Sequence, residues 1–171
     1  MEVIVKIGEK ASTYIGLYGP VILFIISLIL LRNKKNLLTY YFFGFFVCSI
    51  INFILKGLFR QPRPKEDIHV PNIILTYGKR FGYDIYGMPS GHMQFAFYSI
   101  AFIYFALRKS KESTYVLLGM LLIGMITCVQ RFVYKNHTMM QLLVGSLVGI
   151  IIGYICFTFA TKHISKKSMT F

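Results

Sequence analysis

The chain has no tryptophan, only three cysteines and only six acidic residues among 171. Each shortage excludes something. Cys48, Cys128 and Cys156 all lie inside apolar stretches, without CxxC or Cys/His spacing, which excludes a disulfide-stapled secreted module and leaves them as packing residues. Charged residues make up 15%, where soluble domains carry about 25%. What is abundant is apolar: 56% of residues are hydrophobic and 16% aromatic, with the charges confined to short runs between long apolar stretches. Such a chain is neither disordered nor an ordinary soluble domain; it has the composition of a polytopic membrane protein.

Positive charge dominates what charge there is, 19 Lys and Arg against six Asp and Glu, a formal net charge of +13. Nucleic acid, anionic headgroups, membrane topology and anionic substrates all draw on such an excess. Here the cations flank apolar runs and no nucleic-acid motif is present, so no nucleic-acid partner is expected and membrane lipids are. A cleaved leader is not expected, because Glu2 and Glu9 precede the first apolar run and Arg32, Lys34 and Lys35 follow it.

A hydrocarbon core about 30 Å thick takes roughly 20 apolar residues of helix. Five stretches qualify, at 14–31, 37–55, 92–107, 115–132 and 137–161, the third being the shortest. The expected fold is therefore all-α, a polytopic transmembrane bundle of about five spans forming one membrane-embedded domain over 1–171. Residues 1–13 alternate Val3, Ile4, Val5 and Ile7 with charges and read as an interfacial or frayed helix. Tyr14, Tyr40, Tyr41 and Tyr115 stand at span ends, where an aromatic belt forms. Gly145, Ser146, Gly149 and Gly153 give the fifth span a small-residue stripe for packing inside the bundle, with a homodimer contact as the other use.

Between spans two and three, residues 56–89 hold four of the five prolines. An unstructured connection that long is more often functional than spare. Five spans put the termini on opposite sides. Arg32, Lys34 and Lys35, then Arg108, Lys109 and Lys111, then Lys162, Lys166 and Lys167 share one side, which the positive-inside rule makes cytoplasmic. Ten cations fall on the other side: Lys6, Lys10, Lys56, Arg60, Arg63, Lys65, Lys79, Arg80, Arg131 and Lys135. Several of these have another use.

At that outer face Lys56 leaves the second span, Arg63 follows, Ser90, Gly91 and His92 open the third, and Arg131 and His137 bracket the link between fourth and fifth. Three cations and two imidazoles thus converge from separate segments. Arginine matches phosphate oxygens with a planar fork and lysine adds a point charge, so the set suits a phosphoryl group of charge about −2. Ser90 is placed to cap the third helix, and Gly91 lets the backbone approach an anion held at the helix N-terminus. One neutral imidazole can attack phosphorus and a protonated one can donate to the departing oxygen. Taken singly, each residue has a plainer use: interfacial anchoring for the cations, packing for the histidines. Arg60, Lys65, Lys79 and Arg80 read as loop charges or headgroup contacts, and His69 and His163 as bystanders.

The residues from Lys56 to Pro64 read KxxxxxxRP, Pro89 to His92 read PSGH, and Arg131 with His137 read RxxxxxH. In motif order and spacing the chain resembles the type 2 phosphatidate phosphatase and haloperoxidase superfamily. The resemblance implies that His137 is the nucleophile forming a phosphohistidine, His92 the general acid, and Lys56, Arg63 and Arg131 the phosphate clamp, with Ser90 and the Gly91 amide assisting. It implies no metal and no other cofactor. Two positions depart from the common pattern: Gln130 replaces serine, and Gln141 stands where most members place aspartate to orient the nucleophilic ring. A glutamine carbonyl still accepts the ring N–H, but it does not stabilise an imidazolium as a carboxylate does.

Gln141, together with the run Tyr86 to His92, Gln94-Phe95 and His137-Thr138, is similar to the dolichyl-diphosphatase branch, where glutamine is usual. Gly91 is a mismatch there. The function implied is a membrane phosphohydrolase acting on a lipid phosphate or isoprenoid diphosphate at the luminal or extracytoplasmic face, in the endoplasmic reticulum if the source is eukaryotic. The alternatives are a broad phosphatidate or monoester phosphatase, and a non-catalytic lipid-phosphate binding or transport protein.

Overall fold

In hydrocarbon a backbone must satisfy its own N–H and C=O groups, and apolar runs of this length do so by closing into helices. The computed structural model describes residues 2–65, 80, 82–108 and 113–168, with the backbone alone at 2–10, 113 and 163–168. Five helices follow in order: α1 (Glu2–Leu31), α2 (Lys35–Phe59), α3 (Gly91–Leu107), α4 (Ser113–Val133) and α5 (Met139–Ser168). Among the described residues there is no strand, only an isolated antiparallel bridge between Pro62 and Tyr86. Among the described residues four segments are long and apolar enough to cross a membrane: Ala11–Leu31, Lys35–Phe59, Thr114–Val133 and Met139–Lys162. The fifth, α3, is a shorter apolar helix of 17 residues.

Three boundaries differ from the sequence reading. The N-terminal segment is not separate from the first span, since α1 runs unbroken from Glu2. Lys56 lies in the last turn of α2, not in the loop. His137 lies before α5, not at its start, because Thr138 and Gln141 close a reciprocal cap ahead of Met139: the Gln141 N–H donates to Thr138 Oγ1 at 3.3 Å and the Thr138 N–H to Gln141 Oε1 at 3.2 Å.

The centre of the bundle is α3, which packs on all four other helices and most extensively on α5. Nine of its residues from Met93 to Ile103 are buried, as a helix apolar on all sides requires. The small-residue stripe of α5 makes this possible. A Cβ at Gly145, Gly149 or Gly153 would overlap the backbone of Ser90, Gln94 or Tyr98, so the stripe is spent inside the bundle.

Aromatic placement is mixed. Tyr14 and Tyr115 are exposed, as belt residues should be, but Tyr41 is fully buried. Its hydroxyl meets Ser99 Oγ at 2.7 Å and its ring stacks on Tyr98, which satisfies the polar tip inside the core. Cys48 is buried, Cys128 and Cys156 are partly so, and all three are free thiols. Lys79, His69, Lys109 and Lys111 lie outside the described residues, as do the side chains of Lys6, Lys10, His163, Lys166 and Lys167.

Candidate active site

The polypeptide after α2 turns back at Arg60, whose φ of 47° is left-handed and whose N–H closes on Lys56 O. It then runs beside the segment that precedes α3. Pro62 pairs with Tyr86, and the Gly87 N–H donates to Gln61 O at 2.8 Å. That short pairing carries Arg63 to the short 3-10 turn Gly82–Ile85 and brings Gly87 under the α4–α5 connection.

Two histidine–arginine contacts form there. His137 Nε2 lies 3.0 Å from Arg63 Nη1, and His92 Nε2 lies 2.7 Å from Arg131 Nη2. Asn136 joins them: its backbone O accepts from Arg63 Nη1 at 2.8 Å and its Oδ1 from Arg131 Nη1 at 2.9 Å. Lys56 completes the cluster through Asp84, its Nζ lying 3.0 Å from Asp84 Oδ1 and 2.8 Å from Tyr86 O. Arg63 Nη2 reaches the same Asp84 oxygen at 3.2 Å. The five residues singled out from sequence, Lys56, Arg63, His92, Arg131 and His137, thus share one contact network.

The tautomer of His137 follows from its partners. Gly87 O, at 2.9 Å from Nδ1, can only accept, so Nδ1 carries the hydrogen. Arg63 Nη1 can only donate, so Nε2 presents a lone pair. Burial, then Arg63, Lys56, His92 and Arg131, hold the His137 pKa well below its ordinary value and keep the ring neutral.

Gln141 touches the same ring more loosely, Oε1 lying 3.3 Å from Nδ1. Its amide has a larger task. Nε2 donates to Pro62 O at 2.9 Å and Gln61 Oε1 at 3.0 Å, while Oε1 accepts from the Thr138 N–H, so the amide orientation is fixed at both ends. Gln141 therefore ties the loop bearing Arg63 to the connection bearing His137. The donating half of that task is beyond an ionised aspartate.

Ser90 does not cap α3 with its side chain; it is fully buried, and among the described residues its Oγ has no hydrogen-bond partner. Gly91 follows at the start of α3, facing Asn52. Asn52 supports this turn from below, its Nδ2 lying 2.8 Å from Gln94 Oε1 and 3.4 Å from Pro89 O.

Sequence reasoning missed Asp84, Asn136 and Asn52. A polar amide inside a span is a readable signal and would have flagged Asn52. Arg80, read as a loop charge, instead meets Asp84 Oδ2 at 3.4 Å. Among the described residues no three His, Cys, Asp or Glu side chains gather as metal ligands would.

A model of the PAP2 superfamily matches residues 37–165, which include every one of the candidate site residues. The chain belongs to the PAP2 superfamily. Among curated relatives of this PAP2 chain, dolichyldiphosphatase 1 of Rhinolophus ferrumequinum is 27% identical over 157 residues, and that of Homo sapiens 26%, each match covering 84% of this chain and 62% of the relative. A palmitoyl-protein thioesterase-dolichyl pyrophosphate phosphatase fusion of Schizosaccharomyces pombe is 27% identical, covering 86% of this chain and 23% of the fusion. The PAP2 chain thus spans about 62% of the length of the dolichyldiphosphatases it matches. No solved structure matches it.

Proposed function

We propose that this chain is a membrane phosphohydrolase that removes the terminal phosphate of a lipid diphosphate, of the polyprenyl or dolichyl class, through a phosphohistidine at His137. The observation that carries the reading is the His137 ring, held by Gly87 O through Nδ1 with its Nε2 lone pair turned to Arg63. The PAP2 membership and the names of the relatives support it.

In this reading the phosphoryl group enters between the arginines and the imidazoles, taking over the guanidinium N–H groups that now meet His137 and His92. Nε2 of His137 attacks the terminal phosphorus. The bond from phosphorus to the bridging oxygen breaks as the P–N bond forms, and the departing lipid monophosphate takes a proton from His92. Lys56, Arg63 and Arg131 neutralise the equatorial oxygens, whose charge the transition state spreads. Water then attacks the phosphohistidine, gives a proton to His92, and the P–N bond breaks to leave inorganic phosphate. The step is metal-independent, with charge neutralisation supplied by the three cations. The site faces the lumen or extracytoplasmic space, following the positive-inside assignment, and the hydrocarbon tail stays in the bilayer or between helices.

Purified full-length protein in detergent micelles should release phosphate from polyprenyl diphosphate with EDTA present, and His137→Ala should abolish the release. A panel including phosphatidate and other monoesters ranks the substrates. Release that survives His137→Ala, or that EDTA abolishes, contradicts the proposal.

A further inference from the structure

The cationic cluster already contains an anion. Asp84 Oδ1 lies 3.0 Å from Lys56 Nζ and 3.2 Å from Arg63 Nη2, and Oδ2 lies 3.4 Å from Arg80 Nη1. The backbone oxygen of the same residue accepts from Arg63 Nε at 3.2 Å and Nη2 at 3.0 Å. The burial is lopsided: the three cationic side chains are 5%, 8% and 13% exposed, whereas the Asp84 side chain is 52% exposed. Largely buried cations thus share a half-exposed counter-ion on a short turn.

Donor capacity makes this a competition. A lysine ammonium has three N–H donors, and Lys56 spends two of them on Asp84 and Tyr86. Arg63 gives its Nε–Nη2 edge, the edge suited to bidentate phosphate binding, to the Asp84 backbone oxygen, and its Nη2 also reaches the carboxylate Oδ1, so both let go only when the Asp84 turn moves aside. Neither cation can grip a phosphoryl group fully while Asp84 holds these positions.

Resting on the phosphatase reading, we infer that Asp84 is an internal counter-anion, displaced when the substrate's phosphoryl group binds and returning to expel inorganic phosphate after hydrolysis. Lys56, Arg63, Arg80 and Arg131 without a competing anion would hold the dianionic product tightly, and product release limits many enzymes. A competitor that occupies the pocket lowers the affinity for every anion by the fraction of time the pocket is open. Weaker binding of substrate and product alike trades affinity for turnover. Lys56 and Arg63 outweigh the effect of burial and keep the Asp84 carboxyl below its ordinary range, so the competitor stays charged at physiological pH.

Inorganic phosphate is the probe, used on full-length protein in micelles by thermal shift and as an inhibitor of turnover. Asp84→Asn and Asp84→Ser should each tighten phosphate binding at least tenfold, lower KM, and give a product burst followed by slower steady-state turnover. Asp84→Glu, which keeps a carboxylate, should bind phosphate much as the parent does. The chain has only two aspartates, Asp67 and Asp84, so carboxyl-labelled wild-type protein reports the displacement directly. Added phosphate should move the Asp84 carboxyl signal towards its free value.

If Asp84 only holds Lys56 and Arg63 in place, the Asn and Ser variants bind phosphate more weakly and KM rises. That result, unchanged affinity, or a carboxyl signal indifferent to phosphate overturns the inference and leaves the phosphatase reading intact. Wild-type protein that neither binds phosphate nor turns over lipid diphosphate overturns both.

Discussion

His137 sits in a connection between helices with both ring nitrogens committed, whereas His92 stands in the first turn of α3 with one nitrogen facing two incompatible partners. Nε2 of His92 lies 2.7 Å from an Arg131 N–H and 3.2 Å from the Leu17 carbonyl oxygen. Unprotonated, it accepts from the arginine; protonated, it donates to the carbonyl. It cannot do both. His137 has no such choice, since Gly87 O and Arg63 impose a single tautomer. A fixed lone pair suits a nucleophile, and a nitrogen with two alternative partners suits a group that gives up and regains a proton. In the proposed reaction, a phosphoryl group that took over the Arg131 N–H would leave the Leu17 carbonyl as the partner of Nε2.

The sharpest way to break this contrast is to vary the leaving group. A lipid monoester expels an alkoxide, which needs a proton, whereas a diphosphate expels a phosphate that is stable as an anion. His92→Ala should therefore cost about 10³- to 10⁴-fold in kcat/KM on a monoester but only about 10- to 100-fold on a diphosphate. Equal losses on the two substrates would remove His92 as proton donor.

Next in size is Gln141. Replacing it by aspartate restores the residue common elsewhere in the superfamily, yet it removes the donors to Pro62 O and Gln61 Oε1 that hold the Arg63 loop. Losing hydrogen bonds worth about 1 to 2 kcal/mol in a buried setting should lower kcat/KM by about tenfold. A gain in rate would show instead that a carboxylate at this position is what the nucleophile lacks.

The smallest expected effect is on pH dependence. An ordinary imidazole, with a pKa of about 6.5, would be half protonated at pH 6.5 and would lose about half its nucleophilic form there. His137 is held well below that value, first by burial and then by the surrounding cations, so its neutral form should persist from pH 7.5 to 6.5; in His92→Ala, where no general acid titrates, kcat/KM on a diphosphate should stay nearly flat over that range and fall only at lower pH. Stability has the matching sign. The unfolded chain takes up a proton near pH 6.5 that the folded ring refuses, so this residue destabilises the fold as pH drops below that point. An acid limb at or above pH 6.5 would contradict the burial of the ring.

How much of this was legible follows the same division between helix and connection. All five helices were readable as apolar runs, four of them long enough to cross a membrane and α3 shorter, because helix formation in lipid depends on composition more than on partners. The boundary at α5 was misplaced because Thr138 and Gln141 sit three residues apart and cap the helix reciprocally, a pattern visible in sequence but masked by apolar neighbours. Lys56, Arg63, His92, Arg131 and His137 were recoverable from their spacing. Asp84 and Asn136 were not, since an isolated acid or amide in a connection has no periodicity and its partners are chosen by the tertiary fold. Tyr41 was misread for the same reason: its place at a span end says nothing of Ser99 across the bundle.

The central claim is that His137 Nε2 receives the phosphoryl group. Rapid mixing with a lipid diphosphate labelled in its terminal phosphate, alkaline quenching and peptide mapping tests it most directly. The expected result is acid-labile, alkali-stable label on the peptide containing His137, formed within one turnover and absent from His137→Ala. Label on another residue, or complete turnover with no protein-bound phosphate at any time, contradicts it.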